Sequence, residues 1–429
     1  MRRIMGKLSL KSKINNMRSF AVSSSLFLLM IFSSGCNSIE TASGDHLPDI
    51  SLYERAHLEK ARELASRGVE PFKTAVDSLI MRADRAMTQG PFSVMQKNMT
   101  PPSGDKHDYL SQGPYWWPNP DTPDGLPYVR HDGVINPEYY NFDSRTLGQM
   151  GNAVFTLSVA WFYSGHGPYA EKAVELLRTW FLEPATRMNP HLEYGQAIPG
   201  RTEGRGIGII ETGNLVKVVN GIGMLKGAEA MREDDLLALK AWFNDYTHWL
   251  ISSKNGWDER LYFNNHGTSY DSQVATFAIF TGQDSVAQMV LDSVGIKRIS
   301  RQIEPDGSQP FELARTKAMS YSIKNLRHLI ENAILAEHFG IDLWNYESQK
   351  GGSIRLAMEY LIPYYTVGKE FTYEQIGGIE SLAGEVYKLL LLTVDHYDSE
   401  VITQALDDIP ASPVDHDMFH LLNPVLPDR

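Results

Sequence analysis

The chain has 429 residues, with 40 basic against 52 acidic side chains and a formal charge of −12. Six of the bases and none of the acids lie in the first 36 residues, so beyond that segment 34 bases face 52 acids, a charge near −18. Such a chain is a poor partner for nucleic acid, which needs clustered cations, and an anionic ligand would have to be gripped by a few local cations in a cleft.

The six bases, Arg2, Arg3, Lys7, Lys11, Lys13 and Arg18, precede an apolar run from Leu26 to Phe32 and then Ser33-Ser34-Gly35-Cys36. A basic stretch, a short apolar stretch and small residues at the cut make residues 1–36 a secretory signal peptide, too short in its apolar part to span a bilayer. Gly35-Cys36 resembles the bacterial lipobox. Cys36 is therefore expected to carry a lipid and to become the mature N-terminus, anchoring an exported protein in the bacterial envelope. It is the only cysteine, so disulfides are excluded and stability has to come from the core. Residues 37–48 are small and polar and read as a tether, with one domain over 49–429.

From there the period is helical. Phe72, Val76, Leu79, Ile80 and Ala83 make the first apolar stripe at i, i+4, i+7, i+8 spacing. Residues 100–140 break the pattern with eight prolines yet carry Tyr109, Tyr115, Trp116, Trp117 and Tyr128. A long loop this rich in aromatics reads as ordered and cleft-lining. Of Trp116 and Trp117, one is expected to anchor the loop and one to offer a flat face to a sugar, without the sequence saying which.

A second stripe, Ala173, Leu176, Leu177, Trp180 and Phe181, leads to the polar segment Met188–Gly200 with Glu193 and Gln196, followed by Arg201, Arg205 and Glu211. That segment is either a solvated connection or part of a binding surface. Leu239, Trp242, Phe243, Tyr246, Trp249 and Leu250 form a third stripe. Next come Tyr262-Phe263-Asn264-Asn265-His266-Gly267, placed before a helix expected to begin near Asp271. Two consecutive asparagines with a glycine soon after are costly inside a helix, and His266 is a side chain able to gain or lose a proton near neutrality.

Glu312-Leu313-Ala314-Arg315 through Tyr321 runs into a fourth stripe, Leu326, Leu329, Ile330, Ala333 and Ile334. Six residues apart on one helix, Arg315 and Tyr321 point different ways. They share a cleft only if Arg315 sits in the preceding loop or first turn. A fifth stripe is Leu382, Val386, Leu389 and Leu390. Asp395-His396 and Asp415-His416-Asp417 with His420 imitate metal ligands, but no HExxH or cysteine accompanies them, and neither a metal nor a cofactor is expected. Period-two runs are scarce. Many amphipathic helices with short joins and no linker predict an all-α chain of helical hairpins, an (α/α) toroid or incomplete barrel with long cleft-lining loops, or else an open solenoid.

Taken in order, Asp108-Tyr109-Leu110-Ser111, Tyr115-Trp116-Trp117-Pro118, Gly125-Leu126-Pro127-Tyr128, Asn264-Asn265-His266 and Glu312-Leu313-Ala314-Arg315 with Tyr321 resemble the alginate lyase superfamily of α/α-toroid polysaccharide lyases, over residues of about 100 to 340. The Trp-Trp-Pro loop is more similar to that of gut-bacterial lyases acting on alginate or glucuronan than to the smaller mannuronate-specific group.

The resemblance implies an acidic polysaccharide substrate cleaved by β-elimination. Asn265 and Arg315 would neutralise the uronate carboxylate, His266 would serve as base or as the base's partner, and Tyr321 would protonate the leaving O4. Tyr115, Trp116, Trp117, Asn264, Glu193, Gln196 and Arg205 are the candidate substrate-binding residues. Two competing readings stand beside it. An inverting glycoside hydrolase would draw two carboxyls from Glu193, Glu211 and Glu312. A glycan-binding lipoprotein would use the tryptophans and leave Asn265, His266, Arg315 and Tyr321 without a task.

Overall fold

All five apolar stripes become helices in the computed structural model, which describes residues 50–409 and 413–424. They lie in Phe72–Met87, Gly167–Leu177 with its π-helical continuation Arg178–Leu182, Glu233–Ser252, Ala318–Glu337 and Ala383–Thr393, the last stripe beginning in the 3₁₀ turn Glu380–Leu382. Each buries the side the stripe marks; Phe72, Leu79 and Ala83, for example, lose nearly all their accessible surface. The signal segment, Cys36 and the tether lie outside the described residues, as do the side chains of Asp415, His416 and Asp417.

Among the described residues, seven helices close a ring. Phe72–Met87 packs on Asp143–Ser164, and the contacts continue through Asn214–Met224, Asn265–Thr281, Ala318–Glu337, Ala383–Thr393 and Pro413–Leu422 back to Phe72–Met87. A second layer lies outside. Gly167–Leu177 rests on Asp143–Ser164, Glu233–Ser252 and Asp284–Leu291 on Asn265–Thr281, and Ile354–Leu361 on Ala318–Glu337 and Ala383–Thr393. Closure removes the open-solenoid alternative, and the fold is an all-α toroid.

The helix Asn265–Thr281 is buried at almost every position. Such a helix needs neighbours on all sides, which a ring with an outer layer supplies. The inner faces of all seven helices surround a polar lumen of about 680 Å³.

Strands are confined to two two-stranded pieces among the described residues. Leu110–Gln112 pairs in parallel with Tyr194–Ala197, and Trp116–Trp117 pairs antiparallel with Val129–Arg130. The second pairing folds the proline-rich segment into an ordered hairpin. Its base is pinned by a buried ion pair, Lys97 Nζ to Asp143 Oδ2 at 3.0 Å, and Asp143 also accepts the backbone N–H of Leu110 at 2.9 Å.

One boundary differs from the sequence expectation. The helix expected near Asp271 begins at Asn265, with Asn264 as its N-cap accepting the His266 N–H at 3.2 Å. Asparagine is costly inside a helix but favoured as its cap. Gly267 is there for clearance. A Cβ at that position would meet the carbonyl of Tyr262 at 2.2 Å and the Arg298 guanidinium at 2.4 Å. That guanidinium, itself buried, binds Asp271 and the carbonyls of Arg260 and Tyr262, clamping the incoming turn onto the start of the helix.

Candidate active site

A cleft of about 620 Å³ opens at one end of the ring, and Ile210, Asn214 and Lys324 line both it and the lumen behind. Because the helix starts at Asn265, His266 stands in its first turn with its ring over the cleft wall. His266 Nδ1 lies 2.8 Å from Glu259 Oε1, a carboxylate with no accessible surface, on the short helix Lys254–Arg260. A carboxylate at Nδ1 holds the proton there and leaves the Nε2 lone pair as the acceptor. Glu259 was not singled out in the sequence. It lies seven residues before His266, across a helix break that hides the pairing from any helical period.

Arg315 falls in the turn between the helices Pro310–Leu313 and Ala318–Glu337, the one arrangement that lets it share a cleft with Tyr321. Its guanidinium carbon stands 4.4 Å from the centre of the Tyr321 ring. A further partner comes from the proline-rich hairpin. Asp132 accepts from Arg315 Nε at 3.1 Å and Nη2 at 2.9 Å, and from Thr316 Oγ1 at 3.2 Å. Burial would raise the Asp132 pKa, but hydrogen bonding to Arg315, with the charges of Arg315 and Arg130, holds it down at about 2. One edge of Arg315 is thus already spent on a carboxylate, and Nη1 is the corner left for a ligand.

Tyr321 Oη is 2.6 Å from Tyr115 Oη. Burial and Tyr115 push the Tyr321 pKa up, and the opposing charge of Arg315 does not reverse this. Tyr321 is therefore a neutral phenol, a proton donor.

Asn265 and Glu312 face each other, both buried. Glu312 Oε1 accepts the Asn265 backbone N–H at 2.6 Å, and Asn265 Nδ2 lies 3.1 and 2.9 Å from the two carboxylate oxygens. Asn265 Oδ1 is without a partner.

The candidate binding residues separate. Tyr115, Trp116, Asn264, Gln196 and Arg205 line the cleft with the catalytic candidates Asn265, His266, Arg315 and Tyr321. Gln196 sits at φ +48, a conformation rare for a side-chain-bearing residue, and its amide oxygen accepts from Arg205 Nη2 at 3.0 Å. The guanidinium groups of Arg201 and Arg205 lie over the Trp116 ring, 5.2 and 5.8 Å from its centre, so the indole and two cations meet at this part of the wall.

Trp117 is not on the cleft wall. Its indole N–H donates to the Val134 carbonyl at 3.0 Å and ties the hairpin together. Glu193 also lies off the cleft, on the solvent side just before the strand Tyr194–Ala197; its backbone carbonyl is the atom held inside, by Asn255 Nδ2 at 3.3 Å. Lys324, one turn beyond Tyr321, and Arg130 are cleft residues the sequence did not flag.

Of the three carboxyls weighed for a hydrolase, Glu211 alone lines the cleft. Glu193 is outside, and Glu312 is wholly engaged by Asn265. Glu211 accepts from Tyr109 Oη at 2.8 Å and Ser111 Oγ at 2.6 Å, while burial pushes its pKa up to about 7. One carboxyl is not the pair a hydrolase needs; beside it the cleft presents a histidine backed by a carboxylate, a neutral phenol and a set of cations on an all-helical ring, which is the equipment of a polysaccharide lyase.

The profile of the alginate lyase family matches residues 93–371, and the chain belongs to that family. An alginate lyase from Bacteroides ovatus is similar in structure with a TM-score of 0.84 and 38% identity, covering 88% of this chain and 100% of its own. The fold is also shared with alginate lyase A1-III from Sphingomonas species A1, at a TM-score of 0.57 and 15% identity over 88% of this chain and 96% of that one. A histidine-to-alanine variant of the latter, complexed with a tetrasaccharide, gives a TM-score of 0.57 at 15% identity over 88% and 95%. No curated protein matches the sequence.

Proposed function

We propose that this lyase cleaves alginate, with glucuronan as a second substrate, by β-elimination at a uronate residue. The observation that carries the reading is the pairing of a Glu259-backed His266 with a neutral Tyr321 in one cation-lined cleft.

The chemistry runs as follows. A base removes the proton on C5, the electron pair forms the C4=C5 double bond, the C4–O4 bond breaks, and O4 leaves with a proton from an acid. The C5 proton is only weakly acidic beside a charged carboxylate, so donors must neutralise that group; Arg315 Nη1 supplies one, and the Asn265 carboxamide supplies another once its NH₂ group faces the substrate. In α-L-guluronate, H5 and O4 lie on opposite faces, so His266 Nε2 takes the base role and the Tyr321 phenol the acid role. In β-D-mannuronate and β-D-glucuronate both atoms lie on one face, and Tyr321 must first lose its proton before serving as base and then acid. Trp116 supports the sugar ring, with Arg201, Arg205 and Gln196 beside it.

An ultraviolet assay for the unsaturated uronate product on polyguluronate, polymannuronate and glucuronan tests the reading. Product ends without that absorbance would replace the lyase mechanism by hydrolysis. We further propose export and lipid anchoring through Cys36. Metabolic labelling with an alkyne fatty acid is expected to mark the wild type and not Cys36→Ser; equal labelling would end that proposal.

A further inference from the structure

We propose that Glu312 is a positioning residue that works as a neutral acid: carrying its proton, it turns the Asn265 carboxamide so that the NH₂ group, rather than the oxygen, faces the substrate carboxylate. The inference rests on the lyase reading of the cleft and adds a residue and a protonation state to it.

The argument is a hydrogen-bond accounting. With Glu312 charged, both its oxygens are acceptors, so the carboxamide must aim Nδ2 at them, 3.1 and 2.9 Å away, and the backbone N–H of Asn265 adds a third donor at 2.6 Å to Oε1. Oδ1 is then the free end of the side chain, and it has no partner although it is buried. A stranded buried acceptor is costly in itself. It is also the wrong group for the task, because a uronate carboxylate offers only lone pairs and an amide oxygen facing it repels.

A carboxamide is nearly symmetric in shape, and its two ends are told apart by their partners. Half a turn about the last side-chain bond puts Oδ1 where Nδ2 stands, 2.9 Å from Glu312 Oε2. That contact becomes a hydrogen bond if Oε2 carries a proton to donate. Oε1 keeps the backbone N–H, and Nδ2 turns its donors outward, toward the wall that Asn265 contributes to the cleft. No heavy atom has to move otherwise.

The surroundings favour the proton. Burial raises the Glu312 pKa, opposed by the two Asn265 donors and by the charge of Arg315; His266 adds to that opposition only when both its ring nitrogens carry protons. Lys324, on the helix that packs beside it, is the other cation facing Glu312, and burial holds the Lys324 pKa down; Glu259 faces the same region from behind His266. A substrate carboxylate arriving next to Asn265 adds negative charge and strengthens the hold on the proton, so binding and protonation support each other.

The sign follows directly. The competent orientation is present below the folded pKa of Glu312 and is lost as pH rises through it. Glutamine at this position makes the same bonds permanently, with Nε2 donating to Oδ1 and Oε1 accepting the backbone N–H.

The test is the pH profile of kcat/KM on polyguluronate for wild type, Glu312→Gln and Glu312→Ala, with circular dichroism and thermal melts to confirm folding. Glu312→Gln is expected to stay within a few-fold of wild type at low pH and to lack the part of the alkaline decline that Glu312 ionisation causes. Glu312→Ala is expected to fall by about 10²-fold, the usual loss when a donor to developing charge is removed. A folded Glu312→Gln as inactive as the alanine variant, or a wild-type profile that superposes on that of Glu312→Gln, overturns the proposal. If the alanine variant does not fold, the comparison with glutamine still decides. A Tyr321→Phe control that keeps full activity would instead bring down the lyase reading itself, so the two failures are distinguishable.

Discussion

The cleft and the lumen share a wall and are built from the same ring helices, yet they treat charge in opposite ways. In the lumen, Glu385 accepts from both Arg327 at 2.6 Å and Lys388 at 2.8 Å, and Glu331 accepts from His328 and Ser272 at 2.8 and 2.9 Å. Those carboxylates are wrapped in donors. In the cleft each functional group has one partner behind it and one side left open: Glu259 behind His266, Asp132 behind Arg315, Tyr115 beside Tyr321. Enclosing a charge stabilises a fold, whereas backing it from one side only fixes its direction for a ligand.

The sharpest way to break the contrast is at the phenol. Tyr321→Phe removes one oxygen and no packing, so turnover is expected to fall by about 10²–10⁴-fold with an unchanged melting temperature. Near-wild-type turnover would show that the cleft does not aim a proton at all. Second in size is Glu259→Gln. The amide can offer an N–H to Nδ1 and reverse the tautomer, so that His266 presents a donor where a lone pair is needed. A loss of about 10–100-fold or more in kcat/KM is expected, larger on polyguluronate than on polymannuronate, because only the former requires a second base. Equal losses on both polymers would give His266 a single role throughout.

A third prediction concerns stability. The Glu211 pKa rises from 4.5 to about 7 on burial. Below the unfolded value both states hold the proton and the group contributes nothing. Between the two values the unfolded chain releases it while the folded chain keeps it, so stability falls with rising pH, and above the folded value the whole penalty is in place. Glu211→Gln is therefore expected to melt like wild type near ~pH 4 and to gain on it, by up to roughly 3 kcal/mol, by ~pH 8. A difference between the two melting curves that does not vary with pH would sink this account.

The smallest effect is expected in the lumen. Arg327 and Glu385 are a quarter and two-fifths exposed, and a pair so hydrated is worth about 1 kcal/mol or less. Glu385→Gln should lower the melting temperature slightly and leave kcat/KM on every polyuronate unchanged. A large activity loss there would mean that the two cavities are not functionally separate.

Much of the architecture was legible from residue order alone. The five apolar stripes set five helices because a 3.6-residue period can be buried only on one side. The lack of period-two runs excluded a large sheet, and the number of one-sided helices without a linker called for a ring or a stack. Motif order brought Asn265, His266, Arg315 and Tyr321 to notice, and they do line one cleft.

What the sequence left undecided is whatever depends on contacts between distant segments. Ring against open solenoid was settled by the return of Pro413–Leu422 to Phe72–Met87. Which tryptophan faces the cleft was settled by the pairing of Trp116 and Trp117 with Arg130 and Val129 and by the Val134 carbonyl. Glu193 was misplaced because a polar residue beside a strand can face either side, and only the strand's partner fixes which. The helix start was misjudged because Asn264 and Gly267 look like breakers until the cap and the Arg298 clamp are seen. Asp132 reaches Arg315 across 183 residues, and no period or motif encodes a bond of that span. Local sequence fixes which face of each helix must be buried; the direction in which a charged group points is set by the partner that folding brings up behind it.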